Sequence, residues 1–245
     1  MRWQPSPNAS VLVVGGAMMA DDRFAPETQP IMREHYAGCR RIALMLHATH
    51  PDDRDAMERL LQDAFAAIGP HEAFSLHHYD HEAARRQLAS ADAIFTGGGE
   101  TFWLLRELHE SGQIPVIRER VEAGVPYGGS SAGANVAGLR IGATNDFPVT
   151  DIPTRDALGF VPFVLNPHHP RADHQPDHSV RTAKVHHYLR FNPTERVLAL
   201  GDRAMARWHQ GKFTARLGPI WVYGPGGDRV EIAVGQAVPC GSPKS

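Results

Sequence analysis

Short apolar runs alternate with amphipathic segments along the first half of the chain. The apolar runs predict five buried strands, at residues 11–14, 41–46, 74–78, 93–96 and 125–127. Between them, apolar positions spaced three and four apart predict helices at residues 26–36, 52–68, 82–88, 101–111 and 116–123, the second capped by Asp52 or Asp53. Strands that alternate with helices in this way predict a doubly wound, mostly parallel α/β sheet.

The pattern changes in the second half. Residues 146–167 contain four prolines and predict a long loop, while residues 182–191 predict a helix and residues 196–200 another strand. From Ala204 onward, short alternating segments divided by glycine-rich turns predict antiparallel C-terminal strands at the edge of the sheet. Residues 1–245 are therefore expected to form a single domain, with a flexible tail at about residues 240–245.

Composition narrows the class of protein. Hydrophobic residues make up 42% of the chain, and 25 basic residues face 27 acidic ones, which argues against nucleic-acid and membrane-surface partners. No apolar run has the length of a membrane span, and the N-terminus lacks the apolar segment of a signal peptide. Cys39 and Cys240 have no metal or redox spacing, so we expect a cytoplasmic protein.

The candidate chemistry centres on Ser131. Residues 129–133 match the G-x-S-x-G nucleophile elbow, and a small-residue helical segment, residues 132–139, follows. A second glycine cluster, residues 97–99, ends another predicted strand, so both loops are expected at the same carboxyl edge of the sheet. The alternative interpretation is a glycine-rich turn around a buried serine.

A nucleophilic serine needs a base, and the base needs a group that orients it. His168 is the candidate base, since an apolar run leads into it and Pro167 fixes the backbone before it. Asp146 and Asp202 compete as the orienting acid. The alternative is that the histidine belongs to the surface or core and that each aspartate serves a turn or a cap.

Four segments of the chain resemble the dipeptidase E family, the alpha-aspartyl dipeptidases grouped with cyanophycinase among the serine peptidases. They are residues 97–105, 129–135, 144–148 and 165–168, in the same order as in the family. The resemblance implies a fold like that of class I glutamine amidotransferases. It also implies a serine exopeptidase that hydrolyses dipeptides with N-terminal aspartate through an acyl-enzyme.

Site roles follow from the same resemblance. Ser131 would be the nucleophile and His168 the general base, and the backbone N–H groups of Gly99 and Ala132 would form the oxyanion hole. Oxyanion binding of this kind needs preorganised donors from separate loops, as these two are.

The two acids have different counterparts in the family. Asp202 falls where the family has a glutamate that can orient the histidine, and Asp146 where it has an aspartate counted with the triad. We favour Asp202 as the orienting acid, because it follows a predicted strand, whereas Asp146 lies in a turn where aspartate commonly bonds local backbone.

The chain also departs from the family. Ser130 replaces a tryptophan, Glu100 replaces an asparagine, and residues 177–184 have lost most of a segment that helps recognise the acidic N-terminal residue. Glu100 could pair with the free amine of a substrate or be a surface acid. Three cations are candidates for carboxylate binding, with solvated surface charge as the alternative: Arg181, Lys184 and Arg171.

No cofactor or metal is predicted. Histidines cluster at two places, His77, His78 and His81, and His168, His169, His174 and His178, without a metal-binding motif. Because adjacent histidines on a strand point apart, we interpret them as surface residues. Gly15 and Gly16 do not complete a dinucleotide-binding fingerprint.

Two classes of function fit these observations. One is a serine exopeptidase with a small peptide as its substrate, including a cyanophycinase-like or relaxed-specificity peptidase. The other is a non-catalytic, amidotransferase-like binding domain. Neither class requires a nucleic acid or a membrane as partner, and both leave open a homo-oligomer.

Overall fold

The computed structural model describes residues 6–240. Two β-sheets form its architecture, together with a short two-stranded hairpin. The strands are β1 Val11–Val14, β2 Met19–Ala20, β3 Arg23–Phe24, β4 Arg41–Met45, β5 Glu72–Ser75, β6 Ala93–Thr96, β7 Tyr127–Ser130, β8 Val164–Asn166, β9 Val197–Leu200, β10 Met205–His209, β11 Lys212–Leu217, β12 Ile220–Tyr223 and β13 Arg229–Glu231. The helices are α1 Gln29–His35, α2 Arg54–Ala66, α3 His81–Ala89, α4 Thr101–Glu110, α5 Gln113–Glu122, α6 Ala132–Ala137 and α7 Asp177–Phe191.

The larger sheet has seven strands in the order β11-β10-β1-β7-β6-β4-β5. Its last five strands are parallel, whereas β10 and β11 are antiparallel, which confirms the predicted fold class. A smaller sheet has the order β13-β12-β9-β8, with β8 and β9 parallel. β10 and β11 are the predicted antiparallel C-terminal strands at the edge of the larger sheet, whereas β12 and β13 belong to the smaller sheet, where β12 pairs with β9.

Alternate residues of the central strands enter two different hydrophobic clusters. Val11 and Val13 of β1 belong to one cluster, and Leu12 and Val14 belong to the other. Since side chains alternate along a strand, both faces of the sheet are buried. This burial explains why the strands appear in the sequence as continuous apolar runs.

Several boundaries differ from the sequence-based expectation. The strand predicted at residues 125–127 begins at Tyr127 and runs on to Ser130, since Pro126 has no N–H for the ladder. The strand predicted at residues 74–78 ends at Ser75. The Ser75 hydroxyl accepts a hydrogen bond from the His77 N–H, which favours a tight turn over a continued strand.

The observed helix boundaries also differ from the predicted ones. α1 begins at Gln29, and α7 begins at Asp177, five residues before the predicted start. A 3₁₀ turn, Pro51–Asp53, precedes α2, and Asp53 makes no side-chain cap bond there. Within the predicted loop at residues 146–167, Val164–Asn166 forms the strand β8.

The predicted tail lies outside the described residues from residue 241 onward. Within the described range, no helix combines the length and apolar character needed to cross a membrane.

Candidate active site

Ser131 occupies the sharp turn that joins β7 to α6. Its φ of 54° and ψ of −110° fall where residues other than glycine are uncommon. Its backbone N–H donates to the Val14 carbonyl at 3.0 Å, which ties the turn to the adjacent strand. At Gly133 a Cβ atom would lie 2.2 Å from the Thr96 carbonyl oxygen, so only glycine lets the helix begin this close to the sheet.

His168 links Ser131 to Asp202. Its Nε2 lies 2.9 Å from Ser131 Oγ, and its Nδ1 lies 2.6 Å from Asp202 Oδ1. His168 follows β8 and Asp202 follows β9, so two neighbouring parallel strands bring their loops to the same edge. The arrangement provides a hydroxyl, an imidazole and a carboxylate in hydrogen-bonded series.

The His168 loop rests on the loop that follows β1. The His168 N–H donates to the Gly15 carbonyl at 2.9 Å. A Cβ atom at Gly16 would lie 2.0 Å from His168 Cε1, so the imidazole ring sits directly on the backbone of this glycine. The φ of Gly16, 126°, is likewise one that L-residues rarely adopt.

Asp146 lies at the start of α4. Its Oδ2 accepts a hydrogen bond of 3.0 Å from the Thr101 N–H, at the start of α4. Negative charge is stabilising at a helix N-terminus, so this contact gives Asp146 a structural partner. Of the two candidate acids, Asp202 is therefore the one bonded to His168.

Two backbone segments flank the Ser131 hydroxyl. A Cβ atom at Gly98 would lie 3.6 Å from Ser131 Oγ, so the residue 97–99 loop runs beside the hydroxyl, and Gly99 follows directly. On the other side Ala132 is the first residue of α6. The N–H groups of a first helical turn have no acceptor within their own helix and can bind an anion.

Side chains that the sequence did not single out hold these segments together. The Asn135 Nδ2 donates to Thr101 Oγ1 at 3.0 Å and to Thr144 Oγ1 at 3.1 Å. The Asn145 Nδ2 donates to the Pro167 carbonyl at 3.2 Å, directly before His168. Their presence in the four resembling segments was the only signal for them.

The interpretation of the clustered histidines as surface residues was wrong for His178 and His169, since both are buried. The ring of His169 has two hydrogen-bond partners. Its Nδ1 donates to Asn166 Oδ1 at 2.9 Å, and its Nε2 accepts from the Tyr223 hydroxyl at 3.1 Å. Burial lowers the pKa of His169 to about 3, so the ring is neutral at physiological pH. It anchors the loop immediately after His168 to the smaller sheet.

The three candidate cations have different environments. Arg181 is half-buried on α7 and, within the described range, its Nη1 has no hydrogen-bond partner. Burial lowers the pKa of Arg181, and the negative charges of Asp177 and Asp146 oppose this shift. Lys184 is exposed on the same helix, whereas exposed Arg171 pairs with Asp173 at 3.3 Å.

Two cavities are lined by candidate substrate-binding residues, one by Arg181 and Lys184 and the other by Glu100. One of about 80 Å³ is lined by Gly142, Ala143, Thr144, Asn145, Asn166, Arg181, Lys184, Val185 and Tyr188. The other, of about 410 Å³, is lined by Ala48, Thr49, His50, Pro51, Glu100, Trp103 and Val149. Arg181 is the only guanidinium among these lining groups, and Glu100 the only carboxylate.

The two carboxylate oxygens of Glu100 have different surroundings. Its Oε2 caps α4 by accepting from the Trp103 N–H at 2.5 Å. In the part of the chain that the structure covers, Glu100 Oε1 and Trp103 Nε1 are buried and have no hydrogen-bond partner. Burial raises the pKa of Glu100, and the nearby charge of Asp146 raises it further.

Comparison with known proteins reveals relatives along most of the chain. The sequence profile of peptidase family S51 matches residues 11–216. A peptidase E of Shewanella amazonensis is 42% identical over 148 residues, which cover 59% of this chain and 62% of that protein. A peptidase E of Pasteurella multocida is 35% identical over 198 residues, which cover 79% of this chain and 82% of that protein.

A solved structure supports the fold independently. The crystal structure of a peptidase from an acI-B1 actinobacterium superposes with a TM-score of 0.68 at 14% identity. The superposition covers 94% of this chain and 96% of that one. The chain itself spans 62% of the length of the Shewanella amazonensis relative that it matches.

Proposed function

The chain belongs to peptidase family S51, and we propose that it is a serine peptidase that hydrolyses short peptides, with a preference for N-terminal aspartate. One observation carries the proposal: Ser131 Oγ, His168 Nε2, His168 Nδ1 and Asp202 Oδ1 form a continuous series with contacts of 2.9 and 2.6 Å. This geometry matches what a nucleophile, a general base and its orienting acid require.

Acylation follows from these contacts. His168 Nε2 takes the hydroxyl proton as Ser131 Oγ bonds to the carbonyl carbon of the peptide. The carbonyl oxygen becomes an oxyanion that the N–H groups of Gly99 and Ala132 bind. When the tetrahedral intermediate collapses, His168 gives the proton to the leaving amine, the C–N bond breaks and an acyl-Ser131 ester remains.

Deacylation runs the same steps with water. His168 accepts a proton from the water as its oxygen bonds to the ester carbon. Collapse of the second intermediate breaks the bond to Ser131 Oγ, and His168 returns the proton to the serine. Asp202 holds the Nδ1–H throughout, which fixes the tautomer and stabilises the imidazolium.

The preference for an acidic residue rests on Arg181. An arginine that is half-buried and has an unpaired Nη1 in the described range loses hydration without gaining a partner. A substrate carboxylate would supply that partner through charge-assisted hydrogen bonds. A bond of this kind contributes about 1.5–3 kcal/mol, which corresponds to roughly ten- to hundredfold in kcat/KM.

The requirement for a free amine rests on Glu100. An ammonium group would satisfy the buried Oε1 and lower the raised pKa of this carboxyl. The position of Glu100, next to Gly99, puts it beside the proposed oxyanion hole. We therefore propose that blocked dipeptides are poor substrates.

A fluorophosphonate probe tests the serine directly. We expect the probe to modify Ser131 in the wild-type protein and to leave Ser131→Ala unlabelled with an unchanged circular dichroism spectrum. Wild-type protein that resists the probe would contradict the proposal and favour the non-catalytic binding domain.

A panel of Asp-X, Glu-X, Asn-X, Leu-X and blocked dipeptides tests the specificity. We expect kcat/KM to be about 10- to 100-fold higher for Asp-X than for Asn-X. Arg181→Gln should remove this difference, whereas Arg171→Gln, which changes an exposed arginine paired with Asp173, should keep it. Equal rates on Asp-X and Asn-X with a labelled Ser131 would indicate a cyanophycinase-like or relaxed peptidase.

A further inference from the structure

Four potential metal ligands converge outside the candidate active site. Asp55 and Glu58 lie on α2, and His77 and His78 lie in the 3₁₀ turn that follows β5. One oxygen or imidazole nitrogen from each residue lies within 4.8 Å of all the others. We call these residues the α2–β5 cluster.

The end of β5 is what brings the histidines together. A strand continued through residue 78 would point the two rings to opposite faces of the sheet. The strand ends at Ser75 instead, and in the turn Leu76–His78 the ring centroids of His77 and His78 are 3.9 Å apart. Asp55 and Glu58, three positions apart on a helix, face the rings from the same side.

Each histidine already meets a carboxylate. His77 Nε2 lies 2.9 Å from Asp55 Oδ1, and His78 Nε2 lies 2.6 Å from Glu58 Oε2. The two Nε2 atoms and the two oxygens therefore point into the cluster. Two of the four side chains, those of His77 and Glu58, are mostly buried, with exposed fractions of 10% and 12%.

Ser75 forms hydrogen bonds with both buried side chains, on their sides that face away from the cluster. Its hydroxyl lies 2.5 Å from His77 Nδ1, and its backbone N–H donates to Glu58 Oε1 at 2.8 Å. In metal sites, hydrogen bonds to the far side of a ligand fix its orientation and, for histidine, its tautomer. With His77 Nδ1 bonded to Ser75, Nε2 is the nitrogen left to bind a metal.

We propose that the α2–β5 cluster binds one divalent transition metal ion, with Zn²⁺ as the best fit. Two imidazoles and two carboxylates supply the nitrogen and oxygen ligands that Zn²⁺ accepts, whereas Ca²⁺ and Mg²⁺ prefer oxygen alone. Tetrahedral Zn²⁺ at ordinary bond lengths separates its ligand atoms by roughly 3.3 Å. The hydrogen-bonded pairs must therefore open by less than about 1 Å.

Four protein ligands fill a tetrahedral coordination sphere, so the bound ion would be structural. It would join α2 to the edge of the larger sheet. The exposed side chains of Asp55 and His78 have the freedom to complete the geometry, with exposed fractions of 67% and 50%.

Calorimetric titration of the EDTA-treated full chain with Zn²⁺ tests the site. We expect one saturable equivalent, and a rise in Tm of about 5–10 °C at a free Zn²⁺ concentration of 100 times Kd. Asp55→Asn and His77→Ala should each weaken binding at least about tenfold. Asp55→Asn changes an exposed side chain, so the fold survives it even if His77→Ala loosens the turn.

Two control variants exclude other histidines. His187→Ala removes an exposed histidine elsewhere and should leave Kd unchanged, and His168→Ala should keep the stoichiometry at one. Co²⁺ bound in place of Zn²⁺ should give the strong visible absorption of tetrahedral coordination. The absence of a saturable equivalent, or equal weakening in His187→Ala and Asp55→Asn, would overturn the proposal.

Discussion

Backbone conformation at single residues defines the candidate active site. Ser131, His168 and Arg203 have φ angles of 54°, 53° and 61°, all in the left-handed region. Residues other than glycine adopt this region only when the surrounding structure imposes it, at a cost of order 1–3 kcal/mol each. Tertiary contacts therefore hold the loops around Ser131 in place, since local preference opposes their shape.

Gly16→Ala should abolish most activity while the protein remains folded. The added methyl would occupy the space of the His168 ring, and a displacement of about 1 Å costs roughly a hundredfold in rate. Gly38→Ala is the matched control, because Gly38 also has a positive φ, 80°, and its Cβ would meet nothing within 4 Å. Steady-state kinetics on both variants should separate them, and equal losses would contradict the proposed position of His168.

Asp202→Asn should lower kcat far more than Asp146→Asn. An amide at position 202 would favour the wrong tautomer of His168, an effect that reaches about 10⁴-fold in serine proteases. Asp146→Asn should mainly remove a favourable charge from the start of α4, which lowers stability by about 0.3–1 kcal/mol. A larger kcat loss in Asp146→Asn would reverse the assignment of the two acids.

At the level of elements, regular apolar periodicity predicted the structure well. The strands at residues 11–14 and 93–96 follow from buried apolar runs, and the mostly parallel sheet follows from their alternation with helices. Errors fall where a side chain competes with the backbone, as at Ser75, or where packing decides, as at the start of α7.

The candidate site was predictable only in part. The elbow motif singled out Ser131 as the candidate nucleophile, and the apolar run before Pro167, together with the family resemblance, singled out His168 as the candidate base. The sequence favoured Asp202 over Asp146 but could not decide between them, since that depends on which strand lies beside β8. The α2–β5 cluster was not predicted, because its four side chains come from two elements whose contact depends on where β5 ends.

Tyr223→Phe should destabilise the junction between the smaller sheet and α7. The Tyr223 hydroxyl bonds buried His169 Nε2 and part-buried Thr182 Oγ1, both at 3.1 Å, and its loss removes this partner from both. We expect the free energy of unfolding in urea to fall by about 1–3 kcal/mol. Tyr79→Phe, at a residue that is 38% exposed, is the control, and a similar loss there would count against the role of the buried hydroxyl.

At the scale of the whole molecule, buried histidines make stability depend on pH. Burial lowers the pKa of His35 and His169 to about 3 and that of His47 to about 4. Between these values and the ordinary histidine pKa of 6.5, the unfolded chain binds protons that the folded chain does not. The contribution of these three histidines to the free energy of unfolding is therefore fully present above pH 6.5 and is lost as the pH falls towards 3.

Urea unfolding at several pH values should reveal this dependence. Each histidine contributes about 1.4 kcal/mol per pH unit, so three contribute about 4 kcal/mol per pH unit between about pH 5 and 6. His35→Gln keeps an amide donor for the Tyr127 carbonyl and should reduce the slope by about one proton. An unchanged slope in this variant would show that His35 titrates normally.

The division of the site between two sheets has a consequence for biosynthesis. Ser131 follows a strand of the larger sheet, whereas His168 and Asp202 follow strands of the smaller one. A ribosome-bound chain that has emerged only to about residue 160 would carry the nucleophile without its base. If the three residues act together as proposed, the nascent polypeptide cannot cleave peptides until β9 and Asp202 have left the exit tunnel, so the order of translation itself keeps the unfinished enzyme inert.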